Sequence, residues 1–313
     1  MVADDPMRSA TVEVPATSAN LGPGFDSLGV ALDWRARFTL TLSDEPTPAP
    51  SGPLERMAAA GAGALHTLAG AELPAGVRVE VAGDIPVGRG LGLSAAAHTA
   101  GVLAADALLP GDRPLEALLP PIVRLEGHAD NAAPALLGGL QIVVEDDDGQ
   151  DGLFHLGVEP PDDLRLALLV PEFSMPTRES RKRLPERLTR NQAVHNIGRA
   201  ALLVAAIVER RYELLAVATE DVLHQPARST LFPAMYAIFQ AARDAGAHGV
   251  YLSGGGSTVA AFASEGGERI AGAMREAAAA HGLEAQARVC AMSARGAELV
   301  DGPARLRALA PSN

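Results

Sequence analysis

Three glycines at alternate positions, Gly88, Gly90 and Gly92, separate a predicted strand at 77–81 from a helix predicted to run from Ser94 to about residue 108. The strand is inferred from alternating apolar and charged residues, as on a half-buried strand. Glycine allows the backbone to turn successive N–H groups toward one point, and the first turn of a helix adds unpaired N–H groups and a partial positive charge. The order strand, glycine loop, helix N-terminus is therefore typical of a phosphate site, although one such loop does not identify a ligand.

The basic residues restrict how such a loop could bind a nucleotide. Lys182 is the only lysine among 26 basic residues. This excludes a P-loop of the form GxxxxGK[ST] and the strand lysine of a protein kinase. If the chain transfers phosphate, it must hold the nucleotide without a loop lysine.

Length and charge narrow the class of protein. With 313 residues, the chain is long enough for two domains, and its 48% hydrophobic content is that of a globular protein. A net charge of −12 predicts no nucleic-acid partner and no anionic membrane partner. Residues 1–8 lack the apolar region of a signal peptide. The sequence contains no long uninterrupted apolar run, so no membrane span is predicted. The single Cys290, predicted to be buried in a strand, suits a cytoplasmic location.

Strand and helix patterns alternate without a regular βαβ rhythm, which predicts an α+β fold with layered sheets. A domain boundary is predicted at the acidic turn 145–152 or at Pro160-Pro161, which gives domains of 1–158 and 159–313. The predicted strands are 10–14, 34–43, 77–81, 140–144, 164–170, 249–252, 259–262 and 285–292, and the predicted helices are 54–68, 94–108, 115–127, 191–211, 212–219, 231–245 and 268–281.

Two further loops are rich in glycine and small hydroxyl residues, at 20–29 and 253–258. The segment 15–29 is open to two interpretations, a polar connection shaped by its Gly and Pro residues or a substrate-binding loop. Three such loops, each beside predicted strands, favour surfaces that converge on an anionic ligand.

Charged residues elsewhere offer partners for such a ligand. Glu126, His128 and Asp130 occupy alternate positions before Asn131 and Pro134, either as a polar helix cap or as part of a site. One His and no Cys are too few strong ligands for zinc, whereas Glu126 with Ser94 and phosphate oxygens could hold Mg²⁺. Arg is suited to bidentate capture of a carboxylate, but composition alone gives the loop arginines no role.

Six motifs, in order and spread over nearly the whole chain, resemble the homoserine kinases, a branch of the GHMP small-molecule kinase family. The opening PATSANLGPGFDSLG is the most specific of them. The motifs are Pro15–Gly29 (PATSANLGPGFDSLG), Pro86–Ala96 (PVGRGLGLSAA), Glu126–Gly139 (EGHADNAAPALLGG), Thr177–Pro185 (TRESRKRLP), His224–Pro233 (HQPARSTLFP) and Leu252–Thr258 (LSGGGST).

The resemblance implies a two-domain fold, with an N-terminal ATP-binding domain like domain 2 of ribosomal protein S5 and a ferredoxin-like C-terminal domain. It also implies transfer of the γ-phosphate of Mg·ATP to the side-chain hydroxyl of L-homoserine, on the route to threonine. A homodimer is expected from the same resemblance.

The resemblance also implies residue roles. Asn20, Asp26 and His128 match the homoserine pocket, with Asp26 on either the ammonium or the hydroxyl, and Arg181 and Arg228 match the pair that holds the carboxylate. Ser94 and Glu126 match the Mg²⁺ ligands, and Gly254, Gly255 and Gly256 form a supporting loop. The segment that matches the loop around the ATP phosphates comprises Pro86, Val87, Gly88, Arg89, Gly90, Leu91, Gly92, Leu93, Ser94, Ala95 and Ala96.

Two positions depart from the family pattern. Leu93 replaces the first hydroxyl of the usual GLGSSA, and His98 stands where small residues are usual. Three hypotheses follow: an active homoserine kinase, a GHMP kinase for another small amino or hydroxy acid, and a binding protein that has lost activity. A Rossmann dehydrogenase is disfavoured because the glycine spacing is not GxGxxG and the loop lies too far into the chain.

Overall fold

A computed structural model describes residues 8–145 and 152–302, which form two antiparallel sheets with helices packed on them. The first sheet has the strand order β10-β1-β2-β4-β5, and β3 also pairs with β2. The elements of this part are β1 (Arg8–Ala19), β2 (Leu28–Ser43), α1 (Pro53–Leu68), β3 (Gly76–Ala82), α2 (Leu93–Leu108), α3 (Leu119–Glu126), α4 (Ala129–Leu137), β4 (Leu140–Glu145), β5 (Leu153–Val158) and, near the end of the chain, β10 (Glu298–Asp301).

The second sheet has the order β7-β8-β6-β9, and with its two crossing helical segments it forms the βαββαβ arrangement of a ferredoxin-like fold. After it, β10 pairs antiparallel with β1, so the chain returns to the first sheet. The remaining elements are β6 (Arg165–Pro171), α5 (Thr177–Arg181), α6 (Arg190–Val208), α7 (Leu215–Ala218), α8 (Gln225–Arg228), α9 (Met235–Asp244), β7 (Gly249–Leu252), β8 (Val259–Ala263), α10 (Gly267–Ala280) and β9 (Ala285–Ala291).

Helix α2 lies at the centre of the first half, and all its residues from Leu93 to Ala107 except Ser94 are buried. Its small residues allow the backbones of α1 and α2 to approach closely. A Cβ added at Gly101 would lie 1.8 Å from the carbonyl oxygen of Ala58, so only glycine fits there. A helix buried on all sides is held by packing on every face, which fixes the position of its N-terminus.

Strand β6 joins the two hydrophobic cores. Leu166 and Leu168 pack into the core shared with the first sheet, whereas Ala167 and Leu169 face the core under α9 and α10. Successive side chains of a strand point to opposite faces, so a continuous apolar run is needed where both faces are buried. The buried strand predicted from this run is confirmed.

Most predicted elements are present. Helix α4 and the short helices α5 and α8 were not predicted, and β2 begins at Leu28 instead of residue 34. Strand β1 continues through Ala19, so the prediction of a loop from Pro15 onward is wrong for 15–19. Strands β5 and β10 were not predicted, because both are short and largely solvent-exposed. Pro120 and Pro121 stand in the first turn of α3, after a 3₁₀ turn at 115–118, where proline is well tolerated. Cys290 is buried in β9, as predicted. Residues 146–151 of the predicted acidic turn lie outside the described residues.

The apolar residues whose spacing predicts helix α6 do not all enter the core. Val194, Ile197 and Val208 are 63%, 68% and 51% exposed. Across the described ranges, 8–145 and 152–302, no helix combines the length and the apolarity that a membrane crossing requires.

Candidate active site

The glycine loop has the backbone geometry that the sequence predicts. Gly88, Gly90 and Gly92 have φ angles of +71°, +76° and +63°, and Gly92 caps α2 without any side-chain hydrogen bond to the helix. A Cβ at Gly92 would lie 1.8 Å from Thr17 Oγ1, so this position excludes side chains sterically as well as conformationally. No side chain of the preceding residue caps the first turn of α2. The N–H groups of this turn are therefore available to bind an anion.

The three predicted glycine loops lie against one another. Ser253 Oγ donates to the carbonyl of Gly90 at 2.7 Å, and the Gly254 N–H donates to the carbonyl of Ala19 at 3.0 Å. Asn20 Nδ2 also donates to the Gly254 carbonyl, at 3.0 Å. These bonds join segments more than 160 residues apart, so the predicted convergence of the loops is confirmed.

Three side chains meet at the start of α2. Ser94 Oγ donates to Glu126 Oε2 at 2.6 Å, and His98 Nδ1 lies 3.0 Å from the same oxygen. Burial alone would raise the pKa of the Glu126 carboxyl, but the hydrogen bonds from His98 and Ser94 lower it below its usual value. The carboxylate is therefore ionised beside the glycine loop.

His128 faces the cleft next to this group. Its Nδ1 lies 2.7 Å from Asp130 Oδ1, and its Nε2 lies 3.9 Å from Glu126 Oε1. Burial would lower the pKa of His128, but the hydrogen bond to the Asp130 carboxylate raises it above its ordinary value. The pair places an imidazole that faces the cleft at the N-terminus of α4. Asp130 lies in the first turn and is not the cap of this helix, because the N-cap residue is His128 and no side chain caps the helix by a hydrogen bond.

The loop after β1 presents Asn20 and Asp26 in left-handed backbone conformations, with φ angles of 68° and 57°. Asn20 Oδ1 accepts a hydrogen bond from the Asp26 N–H at 3.1 Å, which holds the loop in this shape. Strained non-glycine conformations of this kind concentrate at functional sites. Of the two interpretations of this loop, the geometry supports the substrate-binding one.

The two predicted arginines lie in the same cleft but differ in their contacts. Arg181 makes a bidentate ion pair with Asp26, at 2.8 and 2.7 Å, and each side chain is 34% exposed. Arg228 is 1% exposed and donates through Nη1 to His224 Nδ1 and to the Gly254 carbonyl, both at 2.9 Å. Its Nε is buried without a hydrogen-bond partner in the described residues, and burial lowers the pKa of Arg228 to about 10.

These groups surround one cleft. Five predicted site residues do not line it. Ala95 and Ala96 are fully buried behind the first turn of α2, Val87 is 52% exposed, the Arg89 side chain donates to the Glu172 carbonyl, and Gly256 is buried. The predicted residues that line the cleft are Asn20, Asp26, Pro86, Gly88, Gly90, Leu91, Gly92, Leu93, Ser94, Glu126, His128, Arg181, Arg228, Gly254 and Gly255.

Sequence reasoning assigned no site role to four residues around the cleft. Asp130 and Asn131 line it, and Phe25 lies beneath both guanidiniums, 5.3 Å from Arg181 and 5.4 Å from Arg228. His224 fixes Arg228. All four stand inside the motifs already singled out. For Asp130, Asn131 and His224 the available signal was a polar residue in such a motif, and Phe25 carried no comparable signal.

The described residues hold no group of three or more His, Cys, Asp or Glu side chains that could bind a metal by themselves. The oxygen atoms of Ser94 and Glu126, 2.6 Å apart, are nevertheless hard ligands of the type that Mg²⁺ takes together with phosphate oxygens. The donor set therefore fits a nucleotide-borne magnesium ion and does not fit zinc.

Comparisons with known proteins agree with this geometry. The family descriptions "GHMP kinases N terminal domain" and "GHMP kinases C terminal" match residues 56–139 and 203–280. A homoserine kinase of Desulfitobacterium hafniense is 37% identical over 298 residues, which cover 92% of this chain and 99% of that protein. A homoserine kinase of Deinococcus radiodurans is 40% identical over 272 residues, 82% of this chain and 85% of that protein.

The structure of a homoserine kinase from Cytophaga hutchinsonii has the same fold. It superposes with a TM-score of 0.84 at 29% identity and covers 96% of this chain and 100% of that one. A mevalonate kinase superposes at 0.65 with 13% identity, a likeness that concerns the fold alone.

Proposed function

The chain belongs to the homoserine kinase family of the GHMP kinases and is therefore a kinase, and we propose that it phosphorylates the side-chain hydroxyl of L-homoserine with ATP in threonine biosynthesis. The observation that carries this proposal is the cleft itself. It places an anion-binding loop beside a carboxylate, Asp26, and a buried guanidinium, Arg228. An amino-acid zwitterion requires both charges, and a phosphate requires the loop.

On the phosphate side, the loop from Pro86 to Leu93 and the first turn of α2 bind the ATP phosphates through backbone N–H groups. Ser94 and Glu126 hold Mg²⁺, which neutralises charge on the phosphate oxygens when it is bound. Phosphoryl transfer depends mainly on positioning and charge stabilisation, so the chain needs no lysine in this loop.

On the amino-acid side, Arg228 binds the carboxylate through its guanidinium, whose Nε has no hydrogen-bond partner in the described residues. Asp26 takes the ammonium, and Arg181, which now pairs with Asp26, turns toward the carboxylate. Asn20 and His128 orient the rest of the substrate. Because the reacting hydroxyl is then fixed against the γ-phosphate, no strong base is required of these residues.

A coupled ADP-release assay with Mg·ATP tests the function against L-homoserine, L-serine, L-threonine and mevalonate. We expect turnover with L-homoserine well above the other three. Turnover with another amino acid instead would favour the second hypothesis, a different substrate for the same site. Absence of turnover with all four, while a non-hydrolysable ATP analogue still binds, would overturn the assignment.

We also propose a homodimer in which a second copy covers an apolar surface of α6 and β5. Phe154 and Leu156 of β5 are 65% and 64% exposed. Ile142 of β4 pairs with Leu156 and lines, with Ile197, a groove along α6. β5 is an edge strand of the first sheet, and two identical edges can pair about a two-fold axis.

Light scattering after size exclusion tests the dimer. We expect twice the chain mass for the wild type and the chain mass for Ile197→Glu. A monomeric wild type at micromolar concentration would contradict the proposal.

We propose a boundary at 158/159 between the ATP-binding domain and the C-terminal domain. We also propose a cytoplasmic location, where ATP is available and Cys290 stays reduced.

A further inference from the structure

We propose that His98 is a positioning residue that fixes the Glu126 carboxylate for the divalent cation of the bound nucleotide. The inference rests on the proposed function, because it concerns the Mg²⁺ that accompanies ATP. His98 stands one helical turn after Ser94 on α2, and both side chains reach Glu126 Oε2. His98 is not among the residues that line the cleft, so it acts through Glu126.

The position of Glu126 explains why it needs this support. Glu126 is the last residue of α3 and is followed by Gly127 in a left-handed conformation. The C-terminal end of a helix carries a partial negative charge, which disfavours a carboxylate there. The Glu126 side chain is also only 9% exposed, so water cannot replace protein donors. A buried carboxylate at this place needs hydrogen bonds to stay ionised and in one orientation.

The two donors to Oε2 are not equivalent. Ser94 is itself a proposed ligand of the cation, so its hydroxyl serves two partners. His98 does not line the cleft and is only 6% exposed. Its imidazole therefore cannot bind the ligand directly and acts only by orienting Glu126. A carboxylate accepts hydrogen bonds, so Nδ1 carries the proton. The other oxygen, Oε1, lies 3.9 Å from His128 Nε2, beyond hydrogen-bond distance, and gives no comparable restraint.

The test compares three variants by Mn²⁺ binding, measured by electron paramagnetic resonance in the presence of a non-hydrolysable ATP analogue. His98→Leu removes the N–H donor and leaves an apolar side chain of similar size. His98→Asn places an amide N–H near the position of Nδ1. His66→Leu is the matched control, since His66 is also buried on a helix but bonds the Ala62 carbonyl at 2.8 Å.

We expect His98→Leu to bind Mn²⁺ about 10- to 100-fold more weakly, as for other residues that orient metal ligands. His98→Asn should recover most of the affinity, and His66→Leu should match the wild type. In the assay, kcat of His98→Leu at low Mg²⁺ should fall and recover at high Mg²⁺, with KM for L-homoserine unchanged.

Wild-type Mn²⁺ affinity in a folded His98→Leu variant would overturn the inference, as would equal losses in the Leu and Asn variants. If His98→Leu does not fold, His98→Ala replaces it, because a small residue fits this helix without clash. A wild type that binds Mn²⁺ with the analogue but phosphorylates no acceptor would instead contradict the proposed function.

Discussion

The two sides of the cleft are built in different ways. The phosphate side comes mainly from one continuous segment, 86–94, to which Glu126 adds a carboxylate, and it works mainly through backbone geometry, with all three glycines at positive φ. The amino-acid side works through charged side chains from four separate segments, and the Asp26–Arg181 pair alone joins residues 155 positions apart. Changes on the first side should act through conformation and changes on the second through electrostatics.

The charged residues on the amino-acid side differ in how deeply they are buried. Arg228 is almost inaccessible, whereas Arg181 and Asp26 are each about one third exposed. Water screens an exposed pair and cannot screen a buried one. Arg228 is therefore expected to contribute more to binding than Arg181.

Arg228→Met should have the largest effect. Removal of one partner from a buried charged contact costs about 2–5 kcal/mol, which is about 30-fold to several thousand-fold in kcat/KM for L-homoserine. Binding of the ATP analogue by calorimetry should stay near the wild-type value. Arg199→Met, which removes a surface ion pair with Glu220, is the control and should leave kcat/KM unchanged. A parallel loss of ATP affinity in Arg228→Met would erase the distinction between the two sides.

Gly92→Ala should have the next largest effect, through conformation. A side chain there needs positive φ, which costs about 1–2 kcal/mol, and its Cβ would also clash with Thr17 Oγ1. We expect loss of unfolding free energy in urea and weaker binding of the ATP analogue. Gly88→Ala sharpens the comparison, because the nearest atom to its Cβ would be 3.6 Å away and only the φ cost remains. Equal losses in the two variants would show that the close contact is unimportant.

Leu93→Ser tests whether the phosphate side depends on a side chain after all. Leu93 is 6% exposed and belongs to the main hydrophobic core, so the substitution should cost about 2 kcal/mol of unfolding free energy. Because Ser94 keeps its hydroxyl next to Glu126, turnover should not rise. A large gain in kcat would mean that Leu93 impairs the wild-type site.

His224→Gln should change the pH dependence of stability. Burial lowers the pKa of His224 to about 4, while Nε2 bonds the Gly22 carbonyl and Nδ1 accepts from Arg228. As pH falls from 6.5 to about 4, the unfolded chain binds a proton that the folded chain does not, so unfolding free energy falls by about 1.4 kcal/mol per pH unit. Urea titrations over this range should show this contribution in the wild type and not in the variant, and identical slopes would contradict it.

The sequence was sufficient for features that depend on neighbouring residues. The alternation at 77–81, the glycine spacing at 88–92 and the apolar run at 164–170 predicted strand, loop and buried strand correctly, because local conformation and periodicity determine them. The six motifs further predicted the kinase family. Exposed strands such as β5 carry a weak pattern and were missed.

Only the tertiary structure decided which distant groups meet. Nothing in the spacing of Asp26 and Arg181, or of His98 and Glu126, shows that each pair is in contact, since sheet register and helix packing bring them together. Burial was equally hidden, because nothing in the sequence shows that Arg228 is buried in the cleft whereas Arg199 lies in a surface ion pair. The physical reason is that the strength of a charge interaction depends on the distance between the groups and on how far water is excluded from them. Both are set only when the chain folds.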